Sequence, residues 1–422
     1  MGHTPGRSRP PFKALVAAAL IAGFITAAAA GGGPEPAGPD ERDAPAASSM
    51  RRLLSISPGL GTSGGLWIDL ELPEEYRDQQ PPASAAVQFS TDFSRAMISY
   101  DSVISGGPPK DGIPSIDRPR FVDQDTAAEW ISDAEPVIVY AAGGEQRIYP
   151  LQILTWHEIV NDTVGGTSVA VTYCPLCNTS VVFDRVFDGQ VLEFGVSGRL
   201  IYSNMLMYDR STESWWIQAT GLGVAGAFAG QRLRLLPSMV VSWRDARRSF
   251  PRATVLSRDT GHQRPYGRNP YDRYDSSARP FLYDGPELDP ETGTPFLRVI
   301  AVYYQDESFA ADYETLRDRG VVSFDLGGRP AAIFWQPGTA SALDAQRIAE
   351  GRDVGTATAF FAEINGERFD FSARDGRFAD RQTGSTWDIT GLAVEGPLSG
   401  ARLEVAPSVQ HFIFSWAAFH PE

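Results

Sequence analysis

Asp209-Arg210-Ser211-Thr212-Glu213-Ser214-Trp215-Trp216 returns near the C-terminus as Asp380-Arg381-Gln382-Thr383-Gly384-Ser385-Thr386-Trp387, with Asp, Arg, Thr, Ser and the last Trp at identical spacing. Thr220-Gly221-Leu222, Val224 and Gly226 are matched by Thr390-Gly391-Leu392, Val394 and Gly396. Gly230, Arg232-Leu233 and Pro237-Ser238 are matched by Gly400, Arg402-Leu403 and Pro407-Ser408, and Ser242-Trp243 by Ser415-Trp416. Identities this dense mark an internal duplication. The unit runs from about residue 135 to 260 and again from about 297 to 422, with a Pro-, Asp- and Tyr-rich connector between. Counting the connector with the first copy, the units are 135–296 and 297–422.

Each copy reads as mainly β. Val169, Val171 and Tyr173 alternate with Ala170 and Thr172, the period of a half-buried strand. Asp188-Gly189 and Asn365-Gly366 stand between apolar alternations, as hairpin turns do. Repeated glycines and few long helical periods predict a tandem pair of barrel- or sandwich-like units, α+β in class with a few short helices. One helix is expected from Pro150 to about Asn161, with Leu151, Ile153, Leu154, Trp156 and Val160 as its apolar stripe.

Upstream, Arg7, Arg9 and Lys13 precede an apolar run, Ala14 to Ile25, and Ala28-Ala29-Ala30 is an A-x-A cleavage pattern. Residues 1–30 therefore read as a cleaved secretion signal, 31–50 as a disordered tether and 51–134 as an accessory region. Export predicts an extracytoplasmic protein, periplasmic or secreted, with no stable membrane insertion after cleavage. The chain carries 37 Lys and Arg against 52 Asp and Glu, a formal charge of −15, and has no basic block. That balance argues against nucleic-acid partners.

The copies differ where chemistry would reside. Aligning Gly165-Gly166 with Gly327-Gly328 sets Tyr173 against Trp335, Cys174 against Gln336, Pro175 against Pro337 and Cys177 against Thr339. Counting back sets His157 against Arg319. The reactive groups are confined to the first copy, which is expected to hold the site while the second supports it.

Cys174-Pro175-Leu176-Cys177 contains the only cysteines. A permanent disulfide is one reading, but so small a ring gains only about 2 kcal/mol of chain entropy, against about 4.7 for a hundred-residue loop. A redox dithiol is the preferred one: the turn can lower the pKa of one sulfur and supplies a resolving thiol at once. A metal site is the third: two thiolates are half of a zinc knuckle, and His157 with Met205 or Met207 would complete a soft copper site. Core packing is the ordinary role of the methionines.

His157 and Asn161 fall one turn apart on the expected helix, and Glu158 and Asp162 form a second such pair. His157 is the candidate acid–base group for the thiols. Asn161, Asp162 and Asn178 are expected around it. Arg258-Asp259 and Tyr266 with Arg268 lie in a long polar loop absent from the second copy, and such loops often line sites. Gln218 joins these as a candidate for substrate binding. Asp209-Arg210, kept in both copies, reads as an ion pair with Trp216 a packing aromatic.

Gly106-Gly107-Pro108-Pro109-Lys110-Asp111-Gly112-Ile113-Pro114, Trp156 to Asp162, and Tyr173-Cys174-Pro175-Leu176-Cys177-Asn178-Thr179 resemble the bacterial and archaeal family called domain of unknown function 3179. The resemblance continues through Phe194-Gly195-Val196-Ser197-Gly198, Leu206 to Arg210 and Ser257 to Gly261, and covers about Ser105 to the C-terminus. Some members look like selenoproteins with selenocysteine in this turn, which implies redox chemistry at Cys174 and Cys177. The expectation is a thiol–disulfide redox protein acting on a small molecule or a redox partner, with no cofactor. The alternatives are a copper- or zinc-binding protein and a non-catalytic envelope protein with a local disulfide.

Overall fold

Type I′-like turns are the simplest link from this sequence to its fold. Gly165-Gly166 (φ 53° and 82°) and Gly327-Gly328 (φ 55° and 77°) take left-handed backbone that glycine adopts without cost. They set equivalent hairpins, Ile159–Val164 on Thr167–Cys174 and Val321–Leu326 on Arg329–Gln336. The computed structural model describes residues 54–55, 71–77, 79–288, 292–374 and 377–420. The secretion signal, the tether and part of the accessory region lie outside them.

The chain is mainly β with a few short helices. Both copies run through the same elements in the same order. Strands Pro136–Ala142 and Glu145–Pro150, then helix Leu151–His157, match strands Arg298–Tyr304 and Glu307–Asp312 and helix Tyr313–Arg319. The hairpins above follow, then Thr179–Asp184 and Thr356–Phe361. Each copy closes on a strand and helix, Met239–Ser242 with Trp243–Ser249 and Ser408–Phe412 with Ile413–Phe419. Asp188-Gly189 and Asn365-Gly366 turn the two small hairpins expected of them.

The copies interlock within one compact unit, 51–422. Gln410 of the second copy's last strand pairs with Ser180 of the first copy. This pairing joins strands of both copies into one eight-stranded sheet. In the reciprocal place, Thr356 Oγ1 donates to the carbonyl of Val240. The second copy's last strand thus extends the first copy's sheet, a side-chain hydrogen bond ties the reciprocal pair, and core clusters draw on both copies.

The repeated Asp-Arg-x-Thr-x-Ser-x-Trp stretch is a folding device. Asp209 accepts from the Thr212 backbone N–H at 2.7 Å and from Trp216 Nε1 at 3.0 Å. Asp380 accepts from Thr383 N–H and from Trp387 Nε1 at 2.9 Å. In both copies the Thr hydroxyl meets the Ser hydroxyl at 2.7 Å. The expected Asp209–Arg210 ion pair does not form, because Asp209 is consumed by this turn. Arg210 instead pairs with Asp111 (2.9 Å), Asp117 and Glu193.

Two alignments also need correction. Ser242 caps its helix while Ser415 and Trp416 sit inside theirs, so Trp243 corresponds to Ile413. Counting across the cysteine turn fails as well, because four residues, 175–178, are replaced in the second copy by the loop 337–355. Cys174 and Gln336 do end equivalent strands, but Thr339 belongs to that loop.

Candidate functional site

The strand Thr167–Cys174 ends in a single 3₁₀ turn, Pro175–Cys177. Pro175 fits its first position, and Asn178 closes it in left-handed backbone (φ 50°), which Asn tolerates. Tyr173 donates its hydroxyl proton to Asn178 Oδ1 at 3.1 Å. The strand then resumes, with Thr179 facing Cys174 in register.

Both cysteines are unbridged, and they are 1% and 0% exposed. The Cys174 thiol donates to the Ser203 carbonyl at 3.7 Å and accepts the Met205 backbone N–H. Burial first, then the hydrogen bond with Cys177, pushes the Cys174 thiol well above its ordinary range. The lowered thiol pKa expected from the turn is therefore reversed at Cys174, where burial dominates.

The residue beside Cys174 is Glu158. The helix Leu151–His157 stops there, and Glu158 takes φ 59° and ψ −31°, with its N–H donating to Leu154 O at 2.7 Å. Its carbonyl accepts the Tyr173 N–H at 2.8 Å. In the second copy Gly320 takes φ 71° and ψ −38°, donates to Leu316 O at 2.7 Å and accepts from Trp335 N–H at 2.8 Å. The backbone position calls for glycine, and the first copy holds a carboxylic acid at a cost of about 1–3 kcal/mol. The side chain is buried as well. Burial and the neighbouring Cys174 push its pKa well above the ordinary carboxyl range, while the Tyr271 hydroxyl opposes them.

The connector lies over this pair. Tyr274 donates to the Leu176 carbonyl at 2.8 Å, and Ser203 donates to the Phe281 carbonyl at 2.6 Å. Cys177 and Tyr274 belong to one core cluster, and Tyr283 packs against it. The connector is in turn held by the second copy's loop 337–355. Arg273 N–H donates to Asp344 O at 2.6 Å, and buried Asp275 pairs with Arg298 and Arg352, both at 2.8 Å. The longer loop that replaces the cysteine turn in the second copy is thus the clamp on the first copy's cover.

His157 has its own set of partners. Its Nδ1–H donates to Pro114 O at 2.7 Å, so Nε2 accepts from the Tyr266 hydroxyl at 2.6 Å. Thr260 completes the chain, 2.6 Å from Tyr266. Burial, above all, pushes His157 down to about 4. The expected partnership with the sulfurs is corrected on this point: both ring nitrogens of His157 are engaged by Pro114 and Tyr266, not by a cysteine.

Asn161 and Asp162 stand on the strand Ile159–Val164, not on the helix. Asn161 binds Asp117 and the Phe194 backbone, and Asp162 accepts from Tyr149 at 2.6 Å. Gln218 bridges Thr172, Thr179 O and Asn204 inside the core. Arg258 binds Gln152 and lies 4.6 Å over the Trp130 ring, Asp259 pairs with Arg120 at the surface, and the Arg268 side chain is exposed. Met205 meets Cys174 through its backbone, while Met207 is core. Among the described residues no group of three or more His, Cys, Asp and Glu is arranged to hold a metal ion. The copper set of Cys174, Cys177, His157 and methionine is therefore not gathered.

Sequence reasoning passed over Glu158, Tyr271, Tyr274 and Thr260 as site residues. Glu158 was within reach, since the same ungapped count that pairs His157 with Arg319 pairs it with Gly320. On the opposite face of the sheet from Cys174, Tyr173, Asn178, Ser180, Arg298, Thr339 and Gln410 line a small cleft between the copies. Ser180 Oγ and Thr339 Oγ1 have no hydrogen-bond partner there.

Among the described residues no helix is long and apolar enough to cross a membrane. No curated protein and no solved structure matches the chain. The model of one family, described as protein of unknown function (DUF3179), matches residues 110–422 and so takes in the cysteine turn, Glu158, the connector and the second copy; the chain belongs to that family.

Proposed function

We propose that this is an exported thiol–disulfide redox protein in which Cys174 and Cys177 cycle between dithiol and disulfide. One observation carries the reading: a strained, buried glutamate stands beside the thiol in the copy that has cysteines, while the matching positions of the other copy are Gly320 and Gln336. Strain and burial cost stability, and they persist where chemistry needs them. A carboxyl whose basicity is raised toward that of a thiol is suited to exchange a proton with it. The covered thiols form the resting, reduced state.

The burial of both sulfurs favours a second reading, an inert pair that only packs the core. Thiol trapping across a redox buffer series separates the two. The redox protein has a potential in the catalytic range, roughly −270 to −120 mV. A pair that cannot be oxidised without unfolding the chain, or a disulfide poised below about −300 mV, refutes it. Metal analysis of the same sample tests for copper or zinc.

A further inference from the structure

The two cysteines of the turn are not equivalent, and their surroundings differ in kind. Cys174 ends a strand between buried Tyr173 and Pro175, with its sulfur held by Ser203 O and the Met205 N–H and with Glu158 alongside. Cys177, itself fully buried, sits in the turn between Leu176 and Asn178, both half-buried. The connector packs against it with Tyr274, which donates to Leu176 O in the turn, and with the half-buried Tyr283 at the edge of the same cluster. Next to Tyr283, Phe281 is 60% exposed. Residues 277–288 contain no strand or helix and are tied by the Ser203–Phe281 hydrogen bond to the residue whose carbonyl accepts from Cys174. Opening the connector here, Tyr274 included, would expose Cys177, whereas Cys174 keeps Glu158 and Tyr271 beside it.

Resting on the redox reading above, we infer that Cys177 meets the external disulfide and that Cys174 resolves the mixed disulfide, with Glu158 as its proton partner. In the first step Cys177, having lost its proton to solvent, attacks one sulfur of R–S–S–R. The Cys177–S–S–R bond forms, the R–S–S–R bond breaks, and RS⁻ leaves. In the second step Cys174 passes its proton to the Glu158 carboxylate and attacks Cys177 Sγ. The Cys174–Cys177 bond forms and a second RS⁻ departs. The two cysteines are oxidised by two electrons, the external disulfide is reduced to two thiols, and Glu158 ends protonated. An external dithiol reverses the sequence, with Glu158 returning its proton to Cys174 as it leaves.

The order is tested on the full chain with oxidised glutathione as the probe and intact mass as the readout. Cys174→Ser, which keeps the outer thiol and lacks the resolving one, is expected to hold one glutathione stably on Cys177. Cys177→Ser is expected to take up none. Cys174→Ala carries the same expectation should serine in this apolar site prevent folding. Glu158→Gln, with both cysteines present, is expected to accumulate the same mixed disulfide because its second step slows, roughly a hundredfold. Glutathione found on Cys174 of the Cys177→Ser chain overturns the assignment while leaving the redox reading intact. Uptake by neither variant nor by the parent chain removes the redox reading and the assignment together.

Discussion

Glu158 and Gly320 hold the same backbone conformation at the ends of equivalent helices, φ 59° and φ 71°, and make the same two backbone hydrogen bonds. The second copy shows what the fold requires at this place, and the first copy departs from it. Glu158→Gly is therefore expected to stabilise the chain, by about 1 kcal/mol or more from relief of the backbone and removal of a buried carboxyl. The same change should slow thiol–disulfide exchange. Urea midpoints and exchange rates measured together check this, and a destabilised variant with unchanged exchange would mean that Glu158 is only a packing residue.

His157 makes stability depend on acid. Its pKa in the folded chain is about 4, below the ordinary 6.5, because burial disfavours the imidazolium. Between those values the unfolded chain binds the extra proton, so stability rises with pH there. The contribution is fully present above about 6.5 and is lost as the pH falls toward 4; a gap of this size is worth about 3 kcal/mol. His262 and Arg264, which face it, act in the same direction. Since the buried His411 and Glu158 also titrate abnormally, the check is a difference. His157→Asn should flatten the stability curve between pH 4 and 6.5 relative to the parent; identical slopes would refute the assignment.

The duplicated turn offers an internal control. Asp209 and Asp380 bind the same three groups in their copies: a backbone N–H, a threonine hydroxyl and a buried Trp Nε1. Removing either carboxylate leaves the indole N–H unsatisfied, at a cost of about 1–3 kcal/mol beyond the lost bonds. Asp209→Ala and Asp380→Ala should destabilise the chain to a similar extent. Equilibrium unfolding checks this, and a difference of several kcal/mol would show that the copies do not carry equal structural weight.

The duplication, the hairpins and the confinement of the cysteines to one copy were legible because each rests on local spacing: Asp to Trp, Gly-Gly between alternations, Cys-Pro-Leu-Cys. The interlocking of copies was not, since Gln410 meets Ser180 across more than two hundred residues. The helix was read too long because Val160 continues its apolar stripe, whereas the chain breaks at Glu158 and buries Val160 from a strand. His157 was tied to the sulfurs by its nearness in sequence and its acid–base chemistry, and the helix reading hid the break at Glu158. Tyr271 and Tyr274 looked like connector residues because nothing in their own sequence reveals what they cover.

The clamp on that cover should control access to the thiols. Arg352 reaches from the second copy's loop to Asp275, 2.8 Å away, and to Asp344 at 2.7 Å, and so ties the connector down beside Tyr274. Arg352 is partly exposed, so its loss is worth about 1 kcal/mol rather than the larger cost of breaking a fully buried pair. If opening precedes reaction, alkylation of the native chain speeds up with the open population, by about fivefold for that energy. Arg352→Ala is therefore expected to raise the rate at which iodoacetamide modifies Cys177 under native conditions, with Cys174 following more slowly. Equal acceleration of both cysteines would point to global unfolding instead of a local opening. An unchanged rate would mean that the thiols are reached by a path that does not involve the connector.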